Sequence, residues 1–135
     1  MEGPEAQRRF AAARVARLAT VDAGGAPHLV PVTFAVHGDT IVTAVDHKPK
    51  RTLALKRLAN IASNPRVALL ADEYDDDWSR LWWVRADGTA RVEERVSERV
   101  IELLVARYEQ YAERRPEGPA IVVAVERWSG WAAAA

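Results

Sequence analysis

Along the chain, stretches in which every second residue is apolar alternate with stretches in which apolar residues recur at three and four. Such a pattern predicts strands with a few amphipathic helices between them. Pro4 to about Arg17 reads as a short helix, with proline in its first turn and Ala- and Arg-rich sequence behind it. Val15–Val21 shifts toward strand, and Ala23-Gly-Gly-Ala26 predicts a hairpin turn whose glycines accept positive φ. His28–Val36 alternates with Val30, Val32, Phe34 and Val36 on one face, and Pro31, unable to donate to a ladder, marks an edge or a bulge there. His37-Gly-Asp-Thr40 turns into a further strand over Ile41–Val45, so the first half predicts an antiparallel meander.

A helix is predicted from Thr52 to about Ser63, with Leu55, Leu58 and Ile61 or Ala62 at core spacing and Asn64-Pro65 ending it. Arg66–Ala71 reads as a buried strand and Asp72–Asp77 as an acidic loop. Leu81–Ala86, the turn Asp87-Gly88 and Thr89–Glu93 predict a second hairpin with a type I′ turn. Ser97 caps a helix through about Ala112, with Val100, Ile101, Leu104, Val105 and Tyr108 in one stripe. A loop over Arg114–Pro119, a strand from Ala120 to about Arg127 and an alanine tail complete the pattern. Roughly seven strands with three helices and no regular βαβ alternation predict a mainly β fold with flanking helices, a small antiparallel barrel.

The length of 135 residues fits one domain over 1–135, and 49% apolar with 28% charged residues is ordinary for a globular protein. Lys plus Arg equals Asp plus Glu at 19 each, so no global field draws the chain to nucleic acid or to an anionic membrane. There are no cysteines, which removes disulfides, thiolate metal sites and a Cys nucleophile. The polar start Met-Glu-Gly-Pro-Glu and the lack of any apolar run near ~20 residues make a cytoplasmic protein the expectation.

Against this neutral background, Lys48-Pro-Lys-Arg51 gathers cations at the start of the helix that follows, where unpaired N–H groups already favour an anion. Lys50 and Arg51 precede that helix, and Arg57 and Asn60 share one of its faces. The alternative is a solvated basic patch neutralised by the acidic loop. The loop lacks the EF-hand pattern, and His28, His37 and His47 have no metal-ligand spacing, so no metal site is expected. No Gly-x-Ser-x-Gly elbow and no Gly-rich phosphate loop occurs, so no catalytic side chain is named. Five tryptophans suit a core, a subunit interface or the wall of a flat ligand. An anion site and aromatic walls without a nucleophile fit an enzyme that takes its chemistry from a cofactor.

The order Arg17-Leu-Ala-Thr-Val21, Pro27-His-Leu-Val-Pro-Val32, Asp46-His-Lys-Pro-Lys-Arg51, Arg57-x-x-Asn60 with Asn64-Pro-Arg66, Asp75-Asp-Asp-Trp78 and Arg85–Ala90 resembles a known family. These pieces, spanning Arg14 to Trp131, are similar to the pyridoxamine-phosphate-oxidase-like split β-barrel proteins, and within them to small actinobacterial oxidoreductases dependent on a deazaflavin, coenzyme F420. The resemblance implies a homodimer of six-stranded, flavin-reductase-like split barrels with two cofactor grooves between subunits. It assigns phosphate binding to Lys50, Arg57 and Asn60, with Arg51 and Lys56 as adjacent candidates. A longer interval between Pro49 and Asn64 than in some relatives leaves open which of Lys56 and Arg57 reaches the phosphate. Pro31, Val32 and Thr33 match the stretch along the ring, Val45, Asp46 and His47 the strand end beside it, and Trp78 an aromatic wall that the other subunit can supply. The implied activity is hydride transfer between the deazaflavin and a small electron-poor substrate. Lys48, Lys50 and Arg51 would suit the acidic tail of that coenzyme. FMN in the same groove, as an oxidase or reductase, and a cofactor-binding protein without turnover are the alternatives.

Overall fold

The computed structural model describes residues 1–45 and 51–134, with the side chains of 51–55 outside the description. Helix α1 (Gly3–Ala12) leads into β1 (Ala16–Val21), β2 (Pro27–Val32), β3 (Ala35–His37) and β4 (Thr40–Ala44). Then come α2 (Arg51–Ser63), β5 (Arg66–Glu73), a 3-10 turn (Trp78–Arg80), β6 (Trp82–Glu93), α3 (Glu98–Arg107), α4 (Glu109–Glu113) and β7 (Ala120–Ala132). The strands form one seven-stranded sheet in the order β2-β1-β5-β6-β7-β4-β3, and every pairing is antiparallel. This agrees with the mainly β, antiparallel expectation and with the roughly seven strands of the pattern. The count is one more than the six-stranded barrel that the resemblance implies, because the short β3 pairs with β4 as a strand of its own.

The connectivity forces the sheet to roll up. β2 and β3 stand at opposite ends of the strand order, yet only residues 33 and 34 join them. Strands about 4.8 Å apart would put those edges roughly 29 Å apart in a flat sheet. The three peptide steps from Val32 to Ala35 reach at most about 11 Å. The edges therefore meet, and the barrel is split between them because β2 pairs only with β1 and β3 only with β4.

The interior holds Leu18, Val32, Phe34, Ile41, Leu69, Val84, Ile121 and Val123. Helix α1 adds Ala6 and Phe10, whose ring lies 4.8 Å from Phe34 and 5.4 Å from Trp128. A second apolar cluster lies outside β4 and β7, where Val42, Ala44, Ala120 and Val122 meet Val100, Ile101 and Leu104 of α3. Ser97 caps α3 by accepting from the Val100 N–H at 3.3 Å.

Four local expectations change. The strand predicted over His28–Val36 breaks at residues 33 and 34, because there the chain crosses from one sheet edge to the other. The predicted hairpin at Asp87-Gly88 is absent: β6 runs unbroken through both residues, paired with β5 on one side and β7 on the other. The pair marks a bulge instead, since Asp87 faces Arg127 while Gly88 faces Val125. Gly88 is required for proximity, because a Cβ there would overlap the Ala124 carbonyl oxygen. The helix predicted from Ser97 to Ala112 divides at Tyr108, whose φ of −125° and ψ of 115° are extended. Asp72 and Glu73, placed in a loop by their charge, continue β5. At Asp87-Gly88 and at Asp72-Glu73 pairing across the sheet outweighs the local signal.

Candidate functional site

Where the barrel splits, backbone groups of residues 33 and 34 lose their ladder partners and must find others. Side chains supply them. The Phe34 N–H donates to the Tyr108 hydroxyl at 3.1 Å, and the Phe34 carbonyl accepts from Arg107 at 3.0 Å. The Thr33 carbonyl accepts from Thr43 Oγ1 at 2.7 Å, and Thr33 Oγ1 lies 2.9 Å from the Tyr111 hydroxyl. Tyr108 also donates to the Arg14 carbonyl at 3.0 Å, and Arg107 donates to the Ala13 carbonyl at 2.6 Å while its guanidinium covers the Phe34 and Tyr108 rings. The helical break at Tyr108 turns α4 toward the split, and the split edge is held by the junction of α3 and α4.

A groove of about 510 Å³ opens there, within the range of small-molecule sites. Pro31, Val32 and Thr33 line it with Thr43 and Ala44 of β4, Arg57 of α2, and Tyr108, Gln110, Tyr111 and Arg114 from the α3–α4 side. Two guanidinium groups and no carboxylate stand among the described lining residues, in a chain of zero net charge. Hydroxyls and amide groups supply neutral hydrogen-bonding partners. Such a lining suits a ligand with an acidic end, and its guanidinium groups fit the phosphate of a flavin-type cofactor.

The residues expected at the site separate into groups. Pro31, Val32, Thr33 and Arg57 come together at the groove. Val45 directly follows Ala44, the last residue of β4 and one of the groove's lining residues, and is buried with its N–H donating to the Pro119 carbonyl at 2.9 Å. Lys56 turns away and pairs with Asp22 at 3.5 Å. That pairing, together with the Gly24 and Ala26 N–H groups, holds the Asp22 carboxyl below the usual range; the Ala26 hydrogen bond contributes most. Asn60 is 3% exposed and donates to Thr20 Oγ1 at 3.0 Å, which places its amide inside the barrel wall. Trp78 is 70% exposed on the 3-10 turn and lines neither this groove nor the apolar face described below. Asp46, His47, Lys48 and Lys50 lie outside the described residues, as does the side chain of Arg51.

Tyr108, Gln110, Tyr111, Arg114 and Thr43 were not anticipated. A signal was available: Tyr108, Tyr111 and Arg114 recur at three just past the last core leucine of α3, so an apolar stripe gives way to one of polar aromatic and basic residues.

A second concave face covers β2, β1, β5, β6 and β7 and encloses about 570 Å³. Leu29, Leu70, Trp83 and Trp131 are exposed on it, bordered by Arg17, Arg85, Asp72 and Glu73. Among the described residues there is no cluster able to hold a metal ion, and no helix is long and apolar enough to cross a membrane.

A family model described as pyridoxamine 5'-phosphate oxidase matches residues 3–132. No curated protein matches the chain in sequence. Among solved structures, a conserved hypothetical protein of Mycobacterium tuberculosis superposes with a TM-score of 0.73 at 22% identity, covering 98% of this chain and 85% of that one. An FAD-binding protein of Mesorhizobium loti gives 0.69 at 18% identity, covering 96% and 94%. The heme storage protein of Vibrio cholerae gives 0.67 at 18% identity, covering 96% and 90%. At these identities the likeness concerns the fold. Because the family pattern runs through nearly every element that builds the split barrel and its groove, the chain belongs to the pyridoxamine 5'-phosphate oxidase family.

Proposed function

We propose that the protein is an oxidoreductase whose groove binds a flavin-type cofactor by its acidic end, and that this cofactor is the deazaflavin coenzyme F420. The carrying observation is the groove beside Pro31–Thr33, which receives Arg57 and no described carboxylate. A guanidinium there offers a planar fork to phosphate oxygens. The bound cofactor supplies hydride-transfer chemistry toward a small electron-poor substrate. The chain's own part is to orient and to exclude water: Thr33, held by Tyr111, and the rigid Pro31 present a fixed edge, and Tyr108 lines the groove with them. Lys50 and Arg51 remain candidates for the acidic end, and Asp46 and His47 for the ring, on the family resemblance alone, since they lie outside the described residues and side chains.

A homodimer completes this reading. The exposed Leu29, Leu70, Trp83 and Trp131 with their mixed-charge border make a face that a second copy would bury, and Trp78 would then reach the partner's groove as an aromatic wall.

Titration of the deazaflavin coenzyme and of FMN into the unsubstituted protein and Arg57→Ala tests the assignment. Loss of about 2–3 kcal/mol of binding in the variant is expected for a charge-assisted pair to phosphate. Unchanged affinity removes Arg57 from the site. Purified protein that is yellow and keeps FMN through dialysis would replace the deazaflavin by FMN. A reduced-cofactor complex that no quinone or enone oxidises faster than free cofactor would leave a binding protein without turnover.

A further inference from the structure

The groove has a second cation that the assignment above leaves unused. Arg114 lines it from the end of α4, beside Gln110 and Tyr111. Its neighbour Arg115 is taken up by Glu98 at 3.0 Å, so the two consecutive arginines are directed to different ends. Arg57 and Arg114 belong to different bodies of the fold, since α2 packs on β1 and β6 whereas α4 packs on α3. Both line the groove together with the Pro31–Thr33 edge. The wall carrying Arg114 is fixed in place: Tyr111 bonds Thr33 Oγ1 at 2.9 Å, and Tyr108 bonds the Phe34 N–H at 3.1 Å.

Two cations on independently anchored helices, in a groove whose described lining holds no carboxylate, can address two separate acidic groups. We propose that α4 is a second anion-recognising wall, so that the groove prefers a ligand carrying two acidic groups, one met by Arg57 and the other by Arg114. This rests on the cofactor reading, and it adds that Arg114, with Gln110 beside it, determines which cofactor is preferred. A ligand with a single phosphate uses the Arg57 end and leaves Arg114 in solvent. A diphosphate, or a phosphodiester with a distal carboxylate, spans both.

The test is a fluorescence titration of four probes: riboflavin, FMN, FAD and the deazaflavin coenzyme, with the unsubstituted protein, Arg114→Gln and Arg114→Lys. Arg114 is exposed at the end of a short helix, and an unchanged melting temperature shows that the variants fold. For Arg114→Gln, a rise in Kd of about tenfold or more is expected for whichever two-anion probes the unsubstituted protein binds, and under about twofold for FMN and riboflavin, as a single charge-assisted contact predicts. Arg114→Lys should recover part of the loss. Equal affinities across the variants, or a loss for FMN as large as for the two-anion probes, overturn the inference and leave the cofactor reading standing. Binding of FMN alone by the unsubstituted protein does the same. Failure to bind any of the four overturns the cofactor reading itself.

Discussion

Asn60 donates its side-chain amide to Thr20 Oγ1 at 3.0 Å, and the two residues, from α2 and β1, are 3% and 0% exposed. The pair fastens the helix carrying Arg57 to the barrel wall. An asparagine in this position orients α2 from within.

Asn60→Ala should therefore leave a buried hydroxyl unpaired and cost about 1–3 kcal/mol, measured by urea denaturation. The double variant Thr20→Val with Asn60→Leu removes both polar groups and should recover most of the loss. Cofactor affinity of the folded double variant should stay within about threefold of the unsubstituted protein, because a hydrogen bond to a charged group is worth more than that. A much larger drop would return Asn60 to the phosphate site.

Tyr108→Phe removes the hydroxyl that serves both the Phe34 N–H and the Arg14 carbonyl. Loss of about 1–3 kcal/mol is expected for backbone groups left without partners. Hydrogen exchange at the Phe34 amide should accelerate more than at Leu18 in the adjoining sheet. Equal changes at both would mean that the hydroxyl does not hold the split.

Gly88→Ala should cost about 3 kcal/mol, at the upper end of what overpacking produces, because the new methyl meets the Ala124 carbonyl in a paired backbone. Gly24→Ala is the contrast: its nearest neighbour is Asp22 Oδ1 at 3.5 Å, an ordinary contact, and no positive φ is involved. Thermal denaturation of the two variants side by side distinguishes a required close approach from a general intolerance of glycine replacement.

Asp22 accepts hydrogen bonds from the Ala26 and Gly24 N–H groups and faces Lys56, and its pKa is lowered from the ordinary value of 3.8. A carboxyl whose folded pKa lies below its unfolded one adds stability above the unfolded value, and that stability disappears as pH falls through the folded value. The turn between β1 and β2 should thus remain ordered at pH 4 and loosen only in stronger acid. Carboxyl-carbon NMR titration reads this directly; a midpoint at or above 3.8 contradicts the hydrogen bonding drawn here.

Leu70→Glu and Trp83→Glu each place a charge on the exposed apolar face. Sedimentation should show the unsubstituted protein as a dimer and these variants as folded monomers, since burying an unpaired carboxylate costs several kcal/mol. A monomeric unsubstituted protein would remove the second copy from the reading of that face.

Much of this protein follows from its sequence by itself. Alternation at Val30 and Val32, the glycines at 24 and 25, the Ser97 cap and the apolar stripe of α3 each specify a local conformation through contacts between near neighbours. The same short-range logic places Arg57 on a helix following β4. Tertiary structure decided the remainder. Asp87-Gly88 could serve a turn or a bulge, and only the long pairing of β6 with β7 selects the bulge. Lys56 and Arg57 are adjacent in sequence, but the helix directs one to Asp22 and the other to the groove. Tyr111 reaches Thr33 across 78 positions because the rolled sheet must satisfy backbone groups stranded at its split. Such partners are chosen by three-dimensional closure, and closure leaves no periodic trace along the chain.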